Sequence, residues 1–322
     1  MPSLKSLVAV SSIFLSFGVS AQFTDVINSN RPGESMSGFS VGKSVFQTEA
    51  GIYALREDHS LLNTETSGFG LEAAFRYGAF LEQLEFIANV KYQADEFKTP
   101  FGSESRSSVR NLIIGAKYLI YDPFRNYEEK VNIYSWKANQ RFKWRQFIPA
   151  VSVYAGANIN FSNNPYSFPE DPKLSPKLML ITQNHFGNKT VFVMNIIADK
   201  ITTDFPSYGV IGTLTYGFNQ RWSGFIEGQG YKSDFYSDAI ARVGAAYLIA
   251  ENFQIDASIS KNIKDTPDIL YGGIGFSWRF DKFYKDILIK GPGKDEEKKS
   301  KADKKKEKEK KRIDEVGGNT VE

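Results

Sequence analysis

The sequence predicts an all-β protein, a transmembrane antiparallel up-and-down β-barrel of about twelve strands. Three observations carry that expectation. An export leader opens the chain, apolar and polar residues alternate with period two in segment after segment, and the last such segment puts all its large side chains on one face.

Lys5 precedes an apolar run from Leu7 to Val19, and Val19-Ser20-Ala21 has the small-x-small pattern of a cleavage site. Residues 1–21 therefore read as a signal peptide, with a mature chain expected from Gln22. The run is too short for a transmembrane helix, and no later stretch of about 18 apolar residues appears, which excludes a helical inner-membrane protein. The 322 residues contain no cysteine, so a lipoprotein anchor, disulfides and thiolate chemistry are excluded. The 26 Phe, 16 Tyr and 26 Gly suit a barrel but would equally suit a soluble periplasmic protein, and the pattern along the chain separates the two.

That pattern is period two. Leu84, Phe86, Ala88, Val90 and Tyr92 share one face, and Glu85, Asn89, Lys91 and Gln93 share the other with Ile87. Phe69 to Tyr77, Val151 to Phe161 and Ile255 to Ile259 alternate in the same way. A helical period would place Glu85 and Lys91 among the apolar residues, so strands win. Twelve segments follow, near 43–57, 67–79, 82–96, 107–121, 142–161, 175–187, 189–201, 207–219, 222–232, 237–250, 252–264 and 268–280. Longer polar connections are expected after odd segments, at Asp58-His59-Ser60 onward, at 99–103 and at 163–172, with tight turns after most even ones. Long extracellular loops alternating with short periplasmic turns are the habit of outer-membrane barrels, and an even strand count returns both chain ends to the periplasm.

In the last segment Ile274, Phe276, Trp278 and Phe280 alternate with Gly275, Ser277 and Arg279. These four are expected to form the aromatic-ended strand that outer-membrane assembly machinery recognises and to join the aromatic girdle facing outer-membrane lipid. A soluble edge strand with such a face would invite aggregation. One connection breaks the rule. The insert 122–141 is too long for a turn and is aromatic and basic, and a short amphipathic helix over 129–140 is expected, with Phe142 and Trp144 already in the next strand.

Beyond Phe280 the character changes. Residues 281–322 hold 14 Lys+Arg and 11 Asp+Glu, leaving 26 of each in residues 1–280. The net charge of +3 is thus a property of the tail, and it offers no argument for nucleic acid. This low-complexity tail is read as a periplasmic extension. Contact with cell-wall polymer or an envelope complex is one role for it, and plain solvation is the other.

Inward faces carry the remaining charge. Glu49, Glu72, Glu85, Glu227 and Asp256, with Arg76, Lys91, Lys117, Arg242 and Arg279, are expected to line the lumen of the barrel 43–280. Two readings stand: a charged pore whose side chains set selectivity, or a filled interior in which the charges pair. The segment 22–42 precedes the first strand and is expected to enter the lumen from the periplasmic side, where Arg31 would pair with a carboxylate. Catalytic chemistry has little support. His59 and His185 are the only histidines and fall at opposite ends of the expected barrel, so no metal site is assigned. Gly228-Gln229-Gly230 lies within a strand pattern, so it is no nucleotide loop. No cofactor and no enzymatic activity are expected.

Thr24-Asp25, Asn30-Arg31-Pro32-Gly33-Glu34-Ser35 and Phe46-Gln47-Thr48-Glu49-Ala50-Gly51 resemble the opening of a large family of outer-membrane proteins. Its description is the putative MetA-pathway of phenol degradation, and it is often called transporter-like. The family starts with a Thr-Asp-Arg-Pro-like stretch followed by a Gln-x-Glu-x-Gly strand, and Asn30 departs from it where Asp is usual. The likeness covers 22–100 and 207–280, and the tail is not part of it. It implies a barrel passing small, hydrophobic molecules. Three functions are carried forward: a channel for small solutes, a non-conducting accessory barrel anchored through its insert and tail, and a barrel enzyme acting on lipid.

Overall fold

The computed structural model describes residues 27–123, 134–135, 144–167, 171–187, 189–234 and 236–282. The expected signal peptide, the tail beyond Lys282 and most of the insert, including nearly all of 129–140, lie outside these residues.

Twelve strands follow one another: β1 (Phe46–His59), β2 (Thr64–Gly78), β3 (Leu84–Thr99), β4 (Gly102–Tyr121), β5 (Ala150–Ile159), β6 (Leu174–Phe186), β7 (Thr190–Asp199), β8 (Ser207–Gly217), β9 (Trp222–Ser233), β10 (Ser237–Ala250), β11 (Phe253–Asn262) and β12 (Asp268–Phe280). Each pairs antiparallel with its sequence neighbours, and β12 returns to β1, so the sheet is a closed barrel. Closure runs from Phe46 opposite Phe280 to Asp58 opposite Asp268 and leaves no edge strand. The end at which β1 starts and β12 finishes is called the near end below, and the opposite rim the far end.

The outer face is apolar where the alternation predicts it. Ile52, Phe69, Leu71, Ile114, Ile226 and Ile274 are all exposed there. Aromatic side chains ring the near end in pairs. Phe46 stacks on Phe75, Trp222 lies 4.8 Å from Tyr247, Phe253 stacks on Phe276, and Trp278 lies 5.9 Å from Phe280. Ile274, Phe276 and Trp278 point outward, and Phe280 closes the last rung against Phe46.

Three sequence expectations change, the first being the longer loop from Asp58 onward: Asp58 and His59 end β1, His59 pairs with Thr64, and only residues 60–63 turn the chain. Trp144 is not in the fifth strand: Trp144–Phe147 forms a turn of 3-10 helix, and the strand starts at Ala150. Pro149 accounts for this, because it cannot donate to a ladder and restricts Ile148, whose N–H instead bonds Arg145. The 99–103 stretch is not a long loop either. Thr99 pairs directly with Gly102, and β3 and β4 run on as the longest hairpin of the barrel, at 16 and 20 residues. Charged residues such as Glu96, Lys98 and Glu104 occupy this extension. They look like a loop to a hydropathy pattern, yet a strand that has cleared the apolar band has no need of apolar side chains.

The β1–β12 ladder is complete at Phe280. Truncation after Lys282 is therefore expected to leave a barrel that migrates compactly on unheated gels and shifts on boiling. Loss of the compact form would show that the tail takes part in folding.

Candidate functional site: the occupied lumen

The segment before β1 folds back into the barrel. Ser44 N–H bonds the Gly78 carbonyl and Gly78 N–H bonds that of Val45, which extends the β1–β2 ladder by one step. At Gly42, with φ of 95°, the chain reverses, and its carbonyl sits where a side chain at Gly78 would be. Only glycine meets both demands, a left-handed conformation at one position and no Cβ at the other.

From this hinge, residues 27–42 trace an arc around the inside of the wall. Buried backbone groups need partners, and here the wall side chains supply them. At the near end Ile27 N–H bonds the Glu251 carbonyl, and the Asn28 carbonyl accepts from Gln47 and Arg76. Asn30 N–H bonds Glu49. The N–H groups of Glu34 and Ser35 both reach Glu227. Asn195 grips Met36 from both sides, accepting from its N–H at 2.6 Å and donating to its carbonyl at 2.9 Å. Gly38 N–H bonds Gln183, Lys117 donates to the carbonyls of Ser37 and Phe39, and Val41 N–H bonds Glu85. The arc thereby touches strands on every side of the lumen.

Two layers of charge stand along the axis. The layer nearer the β1 start is buried and balanced. Arg76 bonds Glu85 at 2.5 Å and Glu49 at 2.8 Å, and Lys117 bonds Glu85 at 3.2 Å. All four side chains are at most 1% exposed. Two cations face two carboxylates, which is the arrangement that makes buried charge tolerable. The second layer lies mid-barrel and involves the segment itself. Arg31 is clamped between Glu72 and Asp256, the latter at 3.0 Å, Lys91 pairs with Glu34, and Arg242 pairs with Glu227. Gly51 and Gly275 face each other across the β1–β12 ladder and form the slot for Arg31. A Cβ on either would lie within 2.6 Å of its guanidinium carbon.

The ten charged residues assigned to the inner wall fall into three groups. Five of them, Glu72, Lys91, Glu227, Arg242 and Asp256, belong to the layer around the segment, and four form the buried network. Arg279, cross-strand neighbour of inward-facing Gln47, pairs with Asp281 at 3.6 Å at the near rim. His59 and His185 lie at opposite ends, in the last turn of β1 and the near end of β6.

The pattern did not foretell an apolar inner wall. Ile87, Ile113, Tyr154, Met179, Ile181 and Val193, from β3 to β7, cluster inside the barrel, and Met36 of the segment packs into them. On β6 both faces are apolar, Leu178 and Leu180 outside and Met179 and Ile181 inside, so alternation cannot tell the faces apart. Farther up the lumen Arg106 and Arg110 of β4 and Tyr53 of β1 face inward, also unforeseen. A parity signal existed: with Lys117 inward, strict alternation sends Arg110 to lipid, which a cation avoids.

The layer around Arg31 can be tested by direct measurement. Arg31→Ala leaves Asp256 without its cation and Glu72 with Lys91 alone, at an expected cost of about 3 kcal/mol to docking of the segment. Amide exchange over residues 27–42 should rise strongly while the barrel stays folded. Gly51→Val, whose added side chain meets only Arg31, should reproduce this through bulk alone, and unchanged protection in both variants would refute the clamp. Glu34 supplies a pH test. Burial opposes its ionisation, but Lys91 and Arg242 outweigh that and hold its carboxyl down at about 2. A depressed carboxyl contributes above its ordinary value of 4.5 and loses that contribution as pH falls toward about 2. The protection of the segment, relative to the intrinsic exchange rate at each pH, should accordingly fall across that window, and Glu34→Gln should flatten the response.

The barrel superposes on an outer membrane channel from Pseudomonas putida F1 with a TM-score of 0.52 at 10% identity, covering 77% of this chain and 99% of that one. The translocator domain of the autotransporter NalP from Neisseria meningitidis aligns at a TM-score of 0.47 and 8% identity, over 86% of this chain and 98% of the other. At these identities the first likeness speaks for the fold, and the second is too loose to carry an argument. No curated protein matches the sequence. Residues 29–280, from the lumen segment to the last residue of β12, match the family described as Putative MetA-pathway of phenol degradation. A match over that much of the sequence makes the chain a member of this family of β-barrels.

Proposed function

We propose that the protein is an outer-membrane channel for small solutes whose near half is closed by its own N-terminal segment. The observation that carries this reading is how the segment is held. It is bound to the wall by ion pairs and side-chain hydrogen bonds around Arg31, Glu34 and Glu227, with a single glycine hinge at Gly42. Such contacts are individually reversible. Displacement of residues 27–42 therefore opens a polar path without touching the strand ladder. The apolar outer face meets lipid, and the near end faces the periplasm, because an exported chain inserts from that side and an even strand count returns both termini there. The four wall charges of the buried network are structural. Arg76 in particular is not a selectivity charge, since its guanidinium is spent on Glu49 and Glu85.

A second reading follows from the same occupied lumen: a non-conducting barrel that anchors an envelope assembly through its insert and tail. Conductance separates the two. In planar bilayers the full-length protein is expected to show small, intermittent currents, and a variant lacking residues 27–42 steady currents several times larger. Silence from both, with compact heat-modifiable barrels, would reject the channel and favour the anchor.

A further inference from the structure

Above the Arg31 clamp the lumen holds a cation that forms no ion pair among the described residues. The β3–β4 ladder slips at one place. Lys91 pairs with Asn111 and Tyr92 with Val109, so Arg110 is the extra residue of a β-bulge. A bulge breaks the alternation and re-aims a side chain. Here it turns a residue that strict alternation would send to lipid into the lumen, where Arg110 donates to Gln93 Oε1 at 2.7 Å. Tyr53 donates to the same oxygen at 3.3 Å. Tyr271 and Tyr53 stand beside the guanidinium. Their rings stand edge to face, 6.2 Å apart, and glycine at position 70 leaves room for the Tyr53 ring.

Arg110 differs from the other inward arginines. Arg31, Arg76, Arg106 and Arg242 each hold a carboxylate at bonding distance. Arg110 forms no ion pair among the described residues, and its one hydrogen bond there is to the neutral amide of Gln93. Asp95, the nearest strand neighbour able to serve, is taken by Arg106 at 2.9 Å and by Gln93. Glu57 contributes to the local field without contact. Arg110 as a residue is nevertheless exposed. An accessible guanidinium that meets only weak neutral acceptors presents a planar fork to a carboxylate.

We propose that Arg110, with Tyr271 and Tyr53, forms a binding site for the carboxylate of a small organic anion, entered from the far end. The carboxylate takes the guanidinium N–H groups that Gln93 leaves free, and the tyrosine faces flank the body of the solute. The channel reading supplies the route of access, but the test below reads binding without current, so the two fail separately.

The experiment is equilibrium dialysis of radiolabelled benzoate against the detergent-solubilised full-length protein, with a micelle blank. Benzoate is expected to bind saturably at one equivalent, and neutral benzamide to compete poorly. Arg110→Gln should weaken binding at least about tenfold, as loss of a charged hydrogen-bond donor implies. Arg110→Lys, which keeps charge but not the fork, should fall between. Tyr271→Phe, which leaves the bulge untouched, should weaken binding by a smaller factor. Each variant must show the heat-modifiable barrel. Equal benzoate binding by folded Arg110→Gln, or equal competition by benzamide, would overturn the site.

Discussion

From Phe46 to Asp58, β1 pairs rung by rung with β12. That ladder converts a meander into a tube and removes both sheet edges, without which no sheet survives in hydrocarbon. It also creates a problem the strands alone do not solve. A closed barrel sends half of its side chains inward, and a lumen of this width is too narrow to leave every one of them in bulk water. The inner wall must therefore satisfy itself or be satisfied by something placed within it.

Both solutions are used. Near the β1 start, Arg76 and Lys117 neutralise Glu49 and Glu85 in a network with almost no exposure. Higher up, residues 27–42 bring a backbone whose N–H and carbonyl groups are matched to Glu227, Asn195, Gln183 and Lys117. The match is mutual. The segment would be an unsatisfied chain without the wall, and Asp256 would be a bare acid without Arg31. The apolar side of the lumen takes Met36. One segment thus pairs charge on one side and buries hydrophobic surface on the other, and its docking depends on both.

The local departures from regularity stand where function is placed. Gly42 and Gly78 form the hinge, Gly51 and Gly275 the Arg31 slot, and the bulge at Arg110 sets a cation in the far lumen. Each gives up some local strand stability for a position that a regular ladder does not provide.

Sequence by itself determined the barrel, the number of strands and the face of each residue on strands such as β2, β3 and β12. It did so because lipid on one side and a polar lumen on the other impose period two directly on the residues. The ten wall charges were legible for the same reason. What period two does not encode is which inward residues meet one another. The pairing of Arg31 with Asp256, 225 residues away, and the grip of Asn195 on Met36 arise only when the tube closes. The apolar wall was illegible because β6 is apolar on both faces. For Arg110 the parity count from Lys117 signals only that alternation breaks somewhere on the strand, and the register of β3 against β4 locates the bulge. The fold was thus written in a repeating local pattern, whereas the contents of the lumen are long-range contacts between single residues, which no periodicity records.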